Sequence, residues 1–191
     1  GRDEIVIGKI ARLFSLKGHR FVIEAAPRTL EACPRARFLF VGDGILRDEL
    51  EQKAIDAGVR DRFTFTGLVP PEEIPGLVSA MDVVVHASLR EGLARVLVQG
   101  LLCEKPVVTF ALDGAPEVII PGETGYLVEP ESVRGLADAL LEAIEDPAEA
   151  SRMAREGRRR FADQFRVETM VRDTEDLYLR LMAEKKLQEL S

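Results

Sequence analysis

Short apolar runs alternate with longer amphipathic stretches through the first two thirds of the chain, and this alternation constrains the fold more than any other feature. Six runs have the length and composition of β-strands, at about 4–12, 36–42, 62–67, 82–88, 105–110 and 124–129. Helical patterns separate them. Because strands that are apolar throughout must be covered on both faces, the sequence predicts an α/β fold. We expect a doubly wound, Rossmann-like parallel sheet of six strands.

After Pro130 the strand patterns stop and helical patterns take over. Amphipathic stretches predict helices at about 132–146, from Pro147 to about 165, and at 167–191 as a C-terminal helix. Proline is favoured at the first position of a helix, which suits Pro147. We therefore treat residues 1–191 as one domain with C-terminal helices. A strand pattern that begins almost at residue 1 fits either a natural terminus or a fragment cut at a domain boundary.

The composition excludes several classes of protein. A net charge of −7 argues against a nucleic-acid partner, and the longest apolar runs are too short to span a membrane. With 46% hydrophobic and 31% charged residues, the chain has an ordinary globular composition. Only two cysteines occur, Cys33 and Cys103, and neither lies in a metal-ligand spacing. We therefore expect a reducing, cytoplasmic location.

The loop after the first predicted strand carries two basic side chains. Ligands of doubly wound sheets bind at the carboxyl ends of the strands, where this loop lies. In "ARLFSLKGH", Arg12 and Lys17 converge beside a predicted helix N-terminus. Convergent cations at a helix N-terminus suit a diphosphate. The alternative is a pair of unrelated surface cations.

The segment "REGLARVLVQG" follows the fourth predicted strand, and we interpret it as the start of a helix. In a helix, the backbone N–H groups of Gly92, Leu93 and Ala94 face the crevice. Gln99 then lies about 12 Å along the axis from Glu91, so both can border one groove. A carboxylate accepts hydrogen bonds from sugar hydroxyls, and an amide both donates and accepts. The alternatives are a charge that stabilises the helix dipole and an ordinary surface amide.

Together these motifs resemble a known family. The segments "ARLFSLKGH", "FLFVGDG", "FTFTGLVPPEEIPGLVSAMDVVVHASLREG", "GLLCEKPVVTF", "DGAPEVI" and "GETGYLVEP" follow the order and spacing of the retaining GT-B glycosyltransferases called glycosyl transferases group 1 (family 4). The similarity is to their C-terminal, donor-binding half and runs from about residue 5 to about 180. It implies one half of a GT-B fold, which binds a nucleotide-diphosphate sugar such as a UDP-sugar or a GDP-sugar. By this resemblance, we expect that the N-terminal acceptor domain of such an enzyme is absent from this chain.

The resemblance also implies roles for single residues. Arg12 and Lys17 match the basic pair that holds the donor diphosphate, and Glu91 matches the first of two glutamates separated by seven residues. In the family this glutamate contacts hydroxyls of the transferred sugar. The loop that approaches sugar and phosphate through its backbone matches the next three residues, Gly92, Leu93 and Ala94.

Gln99 stands where the family has its second glutamate, which binds the nucleotide ribose. An amide lacks the charge that strengthens such hydrogen bonds, so we expect weaker or altered ribose binding. Leu68 and Val69 resemble the segment beside the base. Gly44, in a strand-end turn, and His86, at the end of the fourth strand, are further donor-site candidates. A histidine that is only structural is the alternative for His86.

The implied reaction is hexosyl transfer with retention of configuration, for which the fragment alone is expected to be inactive. Arg12 and Lys17 stabilise the negative charge that grows on the leaving diphosphate. No Asp-x-Asp occurs in the chain, and we expect no metal or other cofactor. Any peripheral membrane contact is expected through the absent domain. Two alternatives remain: a nucleotide-sugar 2-epimerase of related fold, and a non-catalytic nucleotide-binding module. Structural or turn roles are expected for His19, Asp113 and Glu117.

Overall fold

The computed structural model describes the backbone of residues 3–189 and the side chains of residues 3–185. The predicted domain begins at residue 1 and its last helix ends at residue 191, so the predictions for residues 1–2 and 190–191 lie outside the described residues. Six strands form one sheet in the order β3-β2-β1-β4-β5-β6, and every neighbouring pair is parallel. The predicted doubly wound sheet is confirmed. The strands are β1 (Ile5–Ile10), β2 (Ala36–Val41), β3 (Phe63–Phe65), β4 (Val83–His86), β5 (Val107–Phe110) and β6 (Tyr126–Val128).

Helices cover both faces of the sheet, as continuous apolar strands require. The helices are α1 (His19–Ala32), α2 (Arg47–Asp56), α3 (Ile74–Ala80), α4 (Arg95–Leu102), α5 (Ala115–Val118), α6 (Val133–Glu145), α7 (Pro147–Phe161) and α8 (Val167–Glu189). Buried residues of α1, α2 and α6 form one apolar cluster with the sheet, and those of α3, α4 and α5 form a second cluster on the other face.

The strand order reverses at β1, which pairs with β2 on one side and with β4 on the other. Such a switch point opens a crevice at the carboxyl ends of the strands. The loop after β1 crosses this point closely, because a Cβ built on Gly18 would lie 1.8 Å from the carbonyl oxygen of Ala87. Gly18 also has a φ of 65°, which glycine adopts without strain. The glycine thus allows the basic loop to pack against the end of β4.

The fourth helix begins later than the sequence predicts. It starts at Arg95, whereas the predicted start was Gly92. The turn after β5 binds the preceding backbone instead: Asp113 accepts a hydrogen bond from the N–H of Glu91 at 2.6 Å, and Gly114 donates one to the carbonyl of Gly92 at 3.1 Å. Because these groups bond outside the helix, the segment before Arg95 is a loop, and the helix-based spacing of Glu91 and Gln99 does not hold.

The C-terminal helix predicted from about Val167 is present as α8. No helix in the described part of the chain is both long and apolar enough to cross a membrane. Several large apolar side chains on α8 are exposed: Val167, Met170, Val171, Leu177, Tyr178, Leu179, Leu181 and Met182.

The apolar core contains one lysine. Lys9 lies in the middle of the sheet on β1, its exposure is 0%, and its Nζ has no hydrogen-bond partner. Burial and, to a lesser extent, repulsion by Lys17 lower the pKa of Lys9 from 10.5 to about 7, although attraction by Glu91 offsets part of the shift. A buried ammonium without a partner is costly, because the charge loses its hydration. Lys9 therefore destabilises the folded protein at neutral pH, either as a buried charge or because folding removes its proton.

We predict that Lys9 makes stability depend on pH. Between about pH 7 and pH 10.5 the unfolded chain holds this proton and the folded chain does not, so stability rises with pH. Lys9 raises the free energy of unfolding by about 1.4 kcal/mol per pH unit in this range. Lys9→Met should remove it and should be the more stable protein below pH 7. Urea denaturation over this pH range measures both effects.

The matched control is Lys53→Met, because Lys53 lies on the surface and pairs with Glu24. This variant should keep the pH dependence of the parent. Parallel stability curves for the parent and Lys9→Met would contradict the prediction.

Candidate active site

A cavity of about 670 Å³ lies at the carboxyl ends of the first four strands. This volume is within the usual range for small-molecule sites. Strand ends form its floor, and the loops after β1, β3 and β4 form its walls together with α4. The sequence-predicted residues that line it are Arg12, Lys17, Leu68, Val69, His86, Glu91, Ala94 and Gln99.

The loop after β1 places both predicted cations on one wall. The guanidinium of Arg12 lies over the ring of Phe14, 5.0 Å from its centroid. Between them Leu13 is fully buried, and its N–H donates to the carbonyl of Asp43 at 2.9 Å. Lys17 ends a short 3-10 turn before α1. The buried leucine therefore anchors the loop while its two basic side chains remain at the cavity.

Glu91 and Lys17 form an ion pair across the cavity. Each side chain is mostly buried, with 30% of Glu91 and 20% of Lys17 exposed. The hydroxyl of Ser88 lies 3.4 Å from the same carboxylate oxygen, and Asp113 binds the backbone N–H of Glu91. Glu91 is thus held at its backbone and its side chain. In this state the carboxylate neutralises one of the two predicted phosphate-binding cations.

Gln99 lies on α4, half-buried, and lines the same cavity as Glu91. Arg95 also lines it, four residues earlier and therefore one turn away on the same helix face. The next residue, Gly100, is a glycine for a packing reason. A Cβ at this position would lie 2.8 Å from a methyl group of Val107.

Three predicted residues do not line the cavity. A Cβ on Gly44 would lie 2.5 Å from the carbonyl oxygen of Leu13, so this glycine allows two loops to approach. Gly92 lines a recess of only about 10 Å³, which shares Glu91 with the larger cavity. Leu93 packs in the second apolar cluster.

Two imidazoles lie with Lys9 at this end of the sheet. His19 and His86 are buried, and neither ring nitrogen of either residue has a hydrogen-bond partner. Burial, and then repulsion by Lys9, lowers the pKa of His19 to about 2 and that of His86 well below its ordinary value. Both rings are therefore uncharged at neutral pH. His86 lines the cavity, whereas His19 packs its ring edge against Phe40 at 4.9 Å.

Sequence reasoning missed three residues of this region. Lys9 had a visible signal, since it is the only charged residue in the strand "IVIGKI". Arg95 had none, because a basic residue on an amphipathic helix is ordinary. Asp113 was interpreted only as a turn residue. It is one, with a φ of 50°, but it also holds the backbone of Glu91.

Comparisons with known proteins identify the family of the chain. The family model described as glycosyl transferases group 1 matches residues 1–160. The 2-deoxystreptamine glucosyltransferase of Streptomyces kanamyceticus is 34% identical over 162 residues, which are 85% of this chain and 42% of that protein. The chain thus spans less than half the length of this relative.

Solved structures show the same fold. Anabaena Alr3699/HepE in complex with UDP and glucose has a TM-score of 0.87 and 29% identity, over 93% of this chain and 49% of that one. The C-terminal domain of the group 1 family protein LpcC from Francisella tularensis has a TM-score of 0.78 and 32% identity, over 85% of this chain and 87% of that one. This chain therefore belongs to the glycosyl transferases group 1 family and has the fold of a GT-B C-terminal domain.

Proposed function

We propose that this chain is the donor-binding half of a retaining hexosyltransferase that uses a nucleotide-diphosphate sugar. The observation that carries the proposal is the meeting of Arg12, Lys17 and Glu91 in one cavity at the switch point of the sheet. A related structure at 29% identity contains UDP and glucose, which supports a donor of this class. We extend the site to Gln99 as the partner of the ribose and to Leu68 and Val69 as the wall beside the base.

Binding of the donor exchanges the partner of Lys17. In the free protein its ammonium is bound to Glu91. A diphosphate carries more charge than one carboxylate and can also bind Arg12, so it draws Lys17 away from Glu91. The released carboxylate then accepts hydrogen bonds from sugar hydroxyls. One binding event thus supplies a cation to the phosphates and an acceptor to the sugar.

The cations also favour the chemical step. Breaking the bond between the sugar and the diphosphate increases the negative charge on the leaving group. Arg12, Lys17 and Arg95 all line the cavity where this charge develops. Cations fixed in position stabilise the transition state without a metal ion, and we propose that the reaction is metal-independent.

The acceptor is assigned to a second domain. This chain covers 42% of a transferase relative and 87% of a solved C-terminal domain, which supports a donor half that requires an N-terminal partner domain in the same protein. We propose that the chain alone binds the donor but does not transfer the sugar efficiently. The cytoplasmic location, any peripheral membrane contact through the other domain, and donor-site roles for Gly44 and His86 and for the backbone of residues 92–94 stay predictions.

A non-catalytic nucleotide-binding module is the second candidate, and Gln99 is the observation that favours it. The family pattern has a carboxylate at this position, and its loss weakens hydrogen bonds to the ribose. A donor that binds to the chain but is never turned over by the two-domain protein would support this candidate. Against it, both cations and Glu91 remain in place.

We predict that nucleoside-diphosphate binding depends on the two cations. Arg12→Ala should weaken the binding of UDP by about 1.5–3 kcal/mol, the range for a charge-assisted hydrogen bond. Lys17→Ala should have a larger effect, because it also leaves the Glu91 carboxylate unpaired beside the phosphates. Calorimetry in the presence of EDTA measures both variants, with GDP and ADP titrated in parallel.

Two controls separate these effects. Lys17→Ala combined with Glu91→Gln should recover part of the affinity, since the repelling carboxylate is gone. Lys53→Ala, on the surface of α2, should bind like the parent. Unchanged affinity in Arg12→Ala and Lys17→Ala, or binding abolished by the chelator, would reject the proposed diphosphate site.

We predict that Gln99→Glu keeps or tightens the binding of the nucleotide, by less than about 2 kcal/mol. A carboxylate is the stronger acceptor for ribose hydroxyls, but the amide already supplies part of this interaction. Arg95, one turn earlier, limits repulsion between the new carboxylate and the phosphates. Titration of both proteins with UDP and with 2′,3′-dideoxy-UDP gives the comparison.

The difference between the two proteins should vanish with the dideoxy nucleotide, which has no hydroxyls to bind. Gln99→Met, of similar size and without polar groups, serves as the control and should lose affinity only for the ribose form. Equal affinity in every combination would mean that residue 99 does not contact the ribose.

We predict retention of configuration in a two-domain enzyme that contains this chain. Glu91, Arg12 and Lys17 match the residues of a retaining family, so an α-linked donor should give an α-linked product. Proton NMR of the first product formed distinguishes the anomers by their coupling constants. A β-linked first product would refute the retaining assignment while leaving donor binding intact.

A further inference from the structure

The buried lysine of β1 has no role in the proposed mechanism, although its burial without a hydrogen-bond partner is costly. Buried polar groups normally have hydrogen-bond partners, and an exception requires an explanation. In the described part of the chain, all buried side-chain nitrogens without a partner belong to three residues, Lys9, His19 and His86. Lys9 acts electrostatically on both histidines, and His86 also acts on His19. They form one cluster.

The cluster lies near the ion pair of the proposed donor site, since both Lys17 and Glu91 act electrostatically on Lys9. Lys9 is paired in register with Phe40 of β2, and His19 packs on that same ring. On the other side β4 runs alongside and ends at His86. The loop that carries Lys17 crosses above, where Gly18 contacts the backbone of Ala87. Strands and loop therefore enclose Lys9 on the site's inner side.

The charges that act on Lys9 come from the elements packed around it. Lys17 on the loop repels its ammonium, and Glu91 after β4 attracts it. His19 on α1 and His86 on β4 are neutral, and β2 contributes only the apolar ring of Phe40. Because Glu91 is already bound to Lys17, little net negative charge remains to hold a proton on Lys9.

We propose that Lys9 is a positioning residue of the donor site, which takes a proton from solvent when the donor diphosphate binds and then holds the freed Glu91 in place as an ammonium ion. The inference rests on the proposed function. The diphosphate brings negative charge to the cavity and draws Lys17 away from Glu91. Both changes favour the charged form of Lys9. Lys9, which is repelled by Lys17 in the free protein, thus becomes the counter-ion of Glu91 in the complex.

Proton uptake gives the binding of the donor a characteristic pH dependence. Burial places the pKa of Lys9 at about 7 in the free protein, and the bound anion raises it. Above about pH 7, binding therefore consumes up to one proton, and affinity falls by up to about tenfold per pH unit. A nucleotide sugar is a suitable probe, because its phosphates are diesters and lack the ionisation near pH 6 of a terminal phosphate.

The test is calorimetry of UDP-glucose binding at about pH 7.5, in buffers that differ in ionisation enthalpy, and at several pH values from about 6.5 to 8.5. GDP-glucose and ADP-glucose replace the probe if UDP-glucose does not bind. The parent should take up a fraction of a proton and lose affinity as pH rises. Lys9→Met should show no uptake and a flat profile, whereas the surface control Lys53→Met should behave like the parent. A purely structural role for Lys9 would leave the proton count unchanged.

A second measurement uses the unmodified protein, so that it does not depend on how well Lys9→Met folds. NMR of lysine side-chain nitrogens should show one lysine that titrates near pH 7 and whose midpoint rises when the nucleotide sugar is added. Binding without proton uptake, or uptake that persists in Lys9→Met, would overturn the inference alone. Failure of all three nucleotide sugars to bind would overturn the proposed function and this inference with it.

Discussion

The position of β1 at the centre of the sheet is the constraint on which the rest of the structure depends. This strand pairs with β2 through all six of its residues and with β4 on its other edge. The reversal of strand order at β1 opens the crevice, and the loop that leaves β1 brings Arg12 and Lys17 to it. Apolar burial on both faces fixes the strand, so the cations are positioned by the core and not by contacts of their own.

The ion pair between Lys17 and Glu91 shows how such a site remains stable while no ligand is bound. Opposite charges at the mouth of a partly buried cavity reduce the desolvation cost of each other. The pair is weak enough to exchange, because both side chains keep some contact with water. A site of cations alone would repel itself, and one without Glu91 would lack an acceptor for the sugar.

Much of this arrangement is predictable from sequence, because it follows from periodicity and from residue type. Continuous apolar runs predict the six strands, and the basic pair and Glu91 fall at strand ends, where topology brings them together. The start of α4 was not predictable. It depends on a hydrogen bond from the backbone N–H of Glu91 to Asp113, 22 residues away. The helix propensities of the residues around Glu91 give no information about that distant contact.

The full burial of the Lys9 side chain was also not predictable from the sequence. Its place in an apolar strand is plain from the sequence, but a lysine at a strand end often extends its amine to water. The loop carrying Lys17 and Gly18 packs on the end of β4, and Lys9 is fully buried. The burial of Lys9 thus depends on tertiary contacts around the end of β1, which the sequence of the strand does not reveal.

Stability alone gives no reason for a lysine at this position. Replacing a buried, unpartnered charge by an apolar side chain of similar volume is usually neutral or stabilising. Departures from good packing chemistry concentrate at functional sites, and Lys9 lies below one. A ligand that brings negative charge near Lys9 lowers the free-energy cost of its buried ammonium. Because this gain exists only in the folded, ligand-bound protein, the ligand also stabilises the folded chain. Donor binding and folding are thus coupled through one side chain that never needs to touch the donor.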